Sequence, residues 1–427
     1  MSRALSSGRV GLLAAGGFAF GLLHAGSSAS GEAPPLTIQA AATTSPGGAE
    51  ALADDPVRDP EPAPELSPIL IGDSELRGRL ALDSIHEREG QMIAALAGGG
   101  EAILTLDPRA QAAAEGVLDQ AQAPLGAIVA MSMDGRLLAY AGRRNKEPER
   151  ERDWQLPAQV WAPAASVFKI VTAAALVSAG VEPSRRVCYH GGIRSVDPSH
   201  LTDSSRDNQC DDLTYGVARS QNAIMAKLAN RHLNVETLAD FADRFGFGHA
   251  PEFAIGADPA RASIPDEPLE FARVAAGFWH TDVSALSGAV LANVVASGGL
   301  RVTPRIVDRV LEPSGDEREV VGVAPVRTVD ESVARTVGKM LVSTTTSGTA
   351  RRAFHDQRGR TFFPGIEIAG KTGTLTRRDP SHLGYSWFVG FAPADDPQIA
   401  VAVLLGNPPA WHLRGHTAAR IVLQSML

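Results

Sequence analysis

The chain has 427 residues, 44% hydrophobic and 21% charged, which is ample for a large core and excludes a disordered, collagen-like or disulfide-scaffold protein. A formal net charge of -8 leaves no general attraction to phosphate backbones or anionic lipid, so nucleic acid is not an expected partner. Only five of the 40 basic residues are lysines (Lys146, Lys169, Lys227, Lys339 and Lys371); because arginine is effectively never deprotonated, each marks a place where a removable proton or a compact ammonium can matter.

In chain order, residues 1–29 read as a signal peptide or membrane anchor: Arg3 and Arg9, an apolar run from Val10 to Leu23, then a Ser27-Ser28-Ala29 cleavage-like stretch. The run is shorter than the ~20 residues of a typical span. Either outcome sends the rest of the chain across the inner membrane, to an anchored position on its periplasmic face or to export after cleavage. Residues 30–68, with the run DDPVRDPEPAPELSP, have the composition of an Ala/Pro-rich flexible linker. Residues 69–100 are expected to form a short helical connector that Gly98, Gly99 and Gly100 terminate. The globular domain is expected over 101–427.

Within it, Leu125 to Met133 and Arg136 to Ala141 read as strands around an Asp134-Gly135 turn. Ser166 opens a helix that Gly180 stops. Thr214 to Leu228, Val235 to Phe245 and the Ala-rich stretch Phe271 to Ser297 read as helices. Ile366 to Thr376, Ser386 to Ala392 and Gln398 to Leu405 read as strands, and His412 to Leu427 as an amphipathic helix. This order predicts an α+β fold, an antiparallel sheet flanked by helices. Cys188 and Cys210, in a polar loop of an exported chain, can form one disulfide or remain free thiols. A metal site that adds His190 and His200 matches no familiar zinc spacing, and no metal or cofactor is expected.

Three short motifs follow in fixed order: Ser166-Val167-Phe168-Lys169, Ser220-Gln221-Asn222 and Lys371-Thr372-Gly373. A lone Ser-x-x-Lys is uninformative, but the ordered trio resembles the signature of penicillin-binding proteins and class A β-lactamases. Leu104-Thr105-Leu106-Asp107 with Gln111, Phe245-Gly246-Phe247-Gly248, Ser347-Gly348-Thr349-Ala350 and WFVGFAPADDPQIAVAV are also similar to segments of the penicillin-binding transpeptidase domain. The chain departs from the family pattern at Ala165, where glycine is usual, and at Gly277-Phe278-Trp279. The resemblance implies an all-helical subdomain beside the sheet and a disulfide in the cysteine loop.

The chemistry of each motif can be stated from its residues. The Ser166 hydroxyl needs a base, and Lys169, one helical turn on, can supply a neutral amine if burial and a second cation, Lys371, lower its pKa. Ser220 can relay a proton to a leaving amine, and Asn222 can bind a peptide carbonyl while orienting Lys169. Lys371 and Thr372 can attract and bind a terminal carboxylate, Gly373 leaves room for a substrate backbone, and the family pattern implies an oxyanion hole from the Ser166 and Thr374 amides.

The resemblance thus implies a class B-like peptidoglycan D,D-transpeptidase that acts on the D-Ala-D-Ala end of stem peptides and is acylated by β-lactams, with a glycosyltransferase or cell-wall synthesis complex as partner. Hydrolytic alternatives are a D,D-carboxypeptidase or a β-lactamase; no Glu-x-x-Leu-Asn element follows Ser220. A non-catalytic penicillin sensor or scaffold is a third alternative. Of the other lysines, Lys146 is expected in a solvated loop, and Lys227 and Lys339 at the surface. Trp161 and Trp387 are expected in the core, and His382 in an exposed loop.

Overall fold

The computed structural model describes residues 71–146, 149–376 and 382–427. The stretches expected to be a leader (1–29) and a linker (30–68), and the first two residues of the expected connector, lie outside the described residues. Among those described, no helix is long and apolar enough to cross a membrane.

A six-stranded antiparallel sheet runs in the order Ala369–Thr376, Gly384–Ala392, Ile399–Asn407, Leu125–Ser132, Leu137–Lys146, Glu149–Arg152. Gly135, at φ 92°, closes the turn between the fourth and fifth of these. The strands Gly384–Ala392 and Ile399–Asn407 are buried at every position, which explains their continuous apolar sequence: both faces of the sheet are covered. Alternate residues face separate cores. Trp387, Val389, Ala402 and Leu404 pack under the Ala285–Ala296 helix, with the Ala165–Phe168 turn beside Gly384–Ala392. Phe388, Val401, Val403 and Leu405 pack under Pro108–Ala121 and Gly415–Met426. Trp387 is fully buried and its indole donates to Pro163 O at 2.9 Å, so its polar atom is satisfied.

The helices Lys169–Ser178, Leu213–Ala218, Asn222–His232, Val235–Arg244, Pro268–Ala275 and Glu331–Thr346 gather beside the Ala369–Thr376 edge strand. The fold is therefore α+β, with antiparallel sheet, flanking helices and a helical subdomain.

Three expectations about elements are corrected. The connector is not helical: from Ile71 onward the chain forms short strands and two 3-10 turns. Its glycines do not end a helix but reverse the chain, with Leu96 N donating to Gly100 O at 3.1 Å. The strand Gln91–Ala95 then pairs with Glu101–Leu104, which pairs with Val307–Leu311, some 200 positions on. Residues 71–104 thus share one sheet with 307–321, and the folded body begins well before Glu101. Asp73 reinforces this junction by accepting from the amides of Ala254 at 2.5 Å and Ile306 at 3.2 Å.

The stretch Thr214 to Leu228 breaks at Ser220, which adopts φ 57° between two helices. Phe271 to Ser297 likewise divides into Pro268–Ala275 and Ala285–Ala296, with Gly277 and the strand Thr281–Val283 between them. Both interruptions fall at the site described next.

Candidate active site

Ser166 lies in a 3-10 turn, Ala165–Phe168, that runs directly into the Lys169–Ser178 helix. Ala165, at the position where the family pattern has glycine, adopts φ 49°, a conformation that costs a residue with a Cβ roughly 1–2 kcal/mol. Opposite it, Gly277 has φ 76°. A Cβ there would collide with the Ala165 carbonyl oxygen and stand 2.9 Å from Ser166 Cα. The break in the long helical stretch therefore lets the Ala276-Gly277 backbone approach the nucleophile.

That approach completes the surroundings of Lys169, which is fully buried. Its Nζ lies 2.9 Å from Ser166 Oγ and 2.7 Å from Asn222 Oδ1, and it also meets the Ala276 carbonyl. Burial first, and the Lys371 charge second, push its pKa well below the ordinary lysine value. A neutral amine has two N–H groups and one lone pair. Asn222 Oδ1 and Ala276 O can take the two hydrogens, which leaves the lone pair for the Ser166 hydroxyl to donate to. The geometry is that of a general base on a serine nucleophile.

Asn222 is held in turn: its Nδ2 donates to Ile193 O at 2.9 Å, which fixes the amide with its oxygen toward Lys169. Ser220, presented by the helix break, accepts from Lys371 Nζ at 3.0 Å. Lys371 also donates to Thr372 O at 2.9 Å, and burial pushes its pKa down to about 7.

The sequence-predicted residues therefore converge. Ser166, Ser220, Asn222, Thr372 and Thr374 line one cleft of about 650 Å³. Lys371 is fully buried and reaches this cleft through Ser220 rather than lining it. Gly373 has a packing role in addition to the one expected of it. A Cβ on it would press on Trp387 at 3.1 Å and Val167 at 3.3 Å, so the missing side chain lets the strand pack against the nucleophile turn. Strand Ala369–Thr376 is the edge of its sheet and leaves one backbone side open, the geometry for an extended peptide to lie alongside.

Several lining residues were not singled out as site residues from sequence: Ile193, Arg194, Arg219, Thr349, Arg414 and His416. Thr349 bonds Thr372, Oγ1 to Oγ1, at 2.6 Å. It lies in the Ser347-Gly348-Thr349-Ala350 segment, so a signal existed; Ile193 and Arg194 come from a loop that carries no pattern, whereas Arg219, Arg414 and His416 stand at helix ends, where helical spacing does not mark a site.

Cys188 and Cys210 form the disulfide, across paired strands Val187–Tyr189 and Gln209–Asp211. They lie at the base of the loop that brings Ile193 to Asn222. Lys227 is not a surface charge. It is 1% exposed, donates to Asp207 Oδ2 at 2.6 Å and to Cys188 O at 2.8 Å, and Asp207 also meets His190 Nδ1 at 2.6 Å. The helix pattern around Lys227 could not reveal this, because every partner comes from the preceding loop. Lys339 and His382 are exposed, whereas the Lys146 side chain lies outside what is described.

Against known proteins, the penicillin binding protein transpeptidase domain family matches residues 126–427. The peptidoglycan D,D-transpeptidase PbpA of Mycobacterium tuberculosis is 26% identical over 381 residues, spanning 80% of this chain and 73% of the relative. Stage V sporulation protein D of Bacillus subtilis is 28% identical over 350 residues, 76% of this chain and 52% of the relative. Among solved structures, penicillin-binding protein A from M. tuberculosis, as a ceftriaxone acyl-enzyme, superposes with a TM-score of 0.64 at 22% identity, covering 77% of this chain and 80% of the other. The chain belongs to the penicillin-binding protein transpeptidase family.

Proposed function

We propose that the protein is a peptidoglycan D,D-transpeptidase that works through a Ser166 acyl-enzyme. The observation that carries this is the placement of the Lys169 amine, buried and with both hydrogens accounted for, 2.9 Å from Ser166 Oγ at the open edge of a strand. Ser166 Oγ attacks the carbonyl carbon of the penultimate D-Ala as its proton passes to Lys169. The oxyanion forms at the Ser166 and Thr374 amides. The C–N bond then breaks, the leaving nitrogen takes a proton by way of Ser220, and D-Ala departs. An amine from a second stem peptide attacks the ester, forms the cross-link and returns the proton to Ser166. A β-lactam acylates the same oxygen, and the ring-opened product remains attached.

Asn222 binds the donor's peptide carbonyl. Thr372, with Thr349 and Thr374, receives the terminal carboxylate, and Lys371 behind Ser220 favours its approach when protonated. The Cys188–Cys210 disulfide anchors the loop that orients Asn222. The apolar leader and the linker support placement on the periplasmic face of the inner membrane, or export after cleavage, and a glycosyltransferase complex that supplies nascent strands is the proposed partner.

Incubation of the protein with a D-Ala-D-Ala pentapeptide donor and an amine acceptor tests the reading. Release of D-Ala with formation of the cross-linked product is expected. Release with only the shortened peptide would instead make it a carboxypeptidase.

A further inference from the structure

A second cavity, of about 190 Å³, shares no lining residue with the Ser166 cleft. It borders the nucleophile turn from another side. Phe247, in its wall, meets the Phe168 ring edge-on at 5.3 Å, and Val283, also in the lining, pairs with Ala162 ahead of that turn. The body of the cavity is apolar: Phe245, Phe247, Val290 and Leu291 are buried, while Val323 and Val326, at its mouth, are 49% and 53% exposed. The space is somewhat larger than the ~150 Å³ that holds a benzene ring in an engineered protein cavity, so it has room for a ring or a chain of about six carbons.

Among the described residues that line it, Arg301 is the only arginine or lysine. Its side chain runs along Gly246, where a Cβ would stand 3.6 Å from Nη1, and its Nε is shut off from solvent without a hydrogen-bond partner. Arg305 and Arg318 also leave Nε unpaired, but each engages a carboxylate, Asp134 and Glu312 respectively. Arg301 engages none among the described residues. Glu252, in the same lining, is exposed and forms no ion pair with it, and His249 is taken by Asp243 at 2.7 Å. A shielded guanidinium N–H without a partner is costly, and a planar carboxylate is the acceptor that its fork fits.

We propose that this cavity binds a small amphiphilic carboxylate, with an apolar ring or chain of about six carbons seated among Phe245, Phe247 and Leu291 and its carboxylate on Arg301. The site is separate from the acylation cleft, and ligand binding there does not depend on the Ser166 chemistry.

NMR titration of the full chain with hexanoate, hexanamide and acetate tests the site. Hexanoate is expected to bind about tenfold tighter than hexanamide, the scale of a hydrogen bond to a charged partner. It is expected to bind at least about tenfold tighter than acetate, which lacks the apolar body. Arg301→Gln is expected to bring hexanoate and hexanamide to about equal Kd, and Arg301→Lys to keep part of the difference. Val323→Glu, at an exposed loop position where the fold is not at risk, sets a carboxylate at the mouth. It is expected to weaken hexanoate about threefold and to leave hexanamide unchanged. Hexanoate no tighter than acetate, or a preference over hexanamide that neither Arg301→Gln nor Val323→Glu reduces, would overturn the proposal.

Discussion

Gly277 and Ala165 meet backbone to backbone beside the nucleophile, with Gly277 at φ 76° and Ala165 at φ 49°. Neither contact nor dihedral tolerates a new Cβ at 277. Gly277→Ala is expected to shift the Ala276 carbonyl away from Lys169 and to slow acylation by at least about a hundredfold, the scale on which misplaced catalytic groups act. Ala165→Gly works in the opposite direction. It relieves a left-handed residue and is expected to raise stability by about 1 kcal/mol. Denaturant titration of both variants, with penicillin acylation rates, checks the pair; a harmless Gly277→Ala would remove the packing argument.

Lys227 and Asp207 form an ion pair almost entirely shielded from water. Removal of one partner strands the other, so Lys227→Met is expected to cost about 3 kcal/mol. Because the loop held by this pair carries Ile193 to Asn222, the folded fraction is also expected to acylate more slowly. In a Lys227→Met/Asp207→Leu double variant no charge is stranded, and part of the stability is expected to return. Melting curves that do not distinguish Lys227→Met from wild type would contradict the assignment.

The two catalytic-cluster lysines give stability a defined pH dependence. Burial lowers Lys371 to about 7, whereas an unfolded lysine titrates near ~10.4. Between those values unfolding takes up a proton that the native side chain does not hold. Stability therefore rises with pH across the window, by up to about 1.4 kcal/mol per pH unit from this group, and the penalty is fully present below it. Lys169 shifts in the same direction, from burial first and Lys371 second. Urea titrations between about pH 7.5 and 9.5 are expected to show a shallower rise for Lys371→Met than for wild type; parallel slopes would contradict the buried, neutral lysine.

What the sequence could reveal followed the range of the interactions. Ser166 and Lys169 are one helical turn apart, so their partnership was legible locally, and the Gly384–Ala392 and Ile399–Asn407 strands announced their burial by unbroken apolar runs. The Ala276 carbonyl on Lys169 and the pairing of Glu101–Leu104 with Val307–Leu311 join residues distant in the chain and left no periodic trace. The helix breaks at Ser220 and Gly277 were hidden for another reason. Their apolar neighbours keep helical spacing, and tertiary contacts with the site override it. Lys227 looked like a surface lysine because a helix sequence does not show which loop will cover it.

The central claim is that Ser166, with Lys169 as its base, forms the acyl-enzyme. Intact-mass measurement after exposure to benzylpenicillin tests it most directly, applied to wild type, Ser166→Ala and Lys169→Arg. Wild type is expected to gain the mass of a single penicilloyl group, and both variants none, since arginine keeps the charge but cannot accept the proton. A wild-type protein that stays unmodified, or a Ser166→Ala variant labelled to the same extent, would contradict the account.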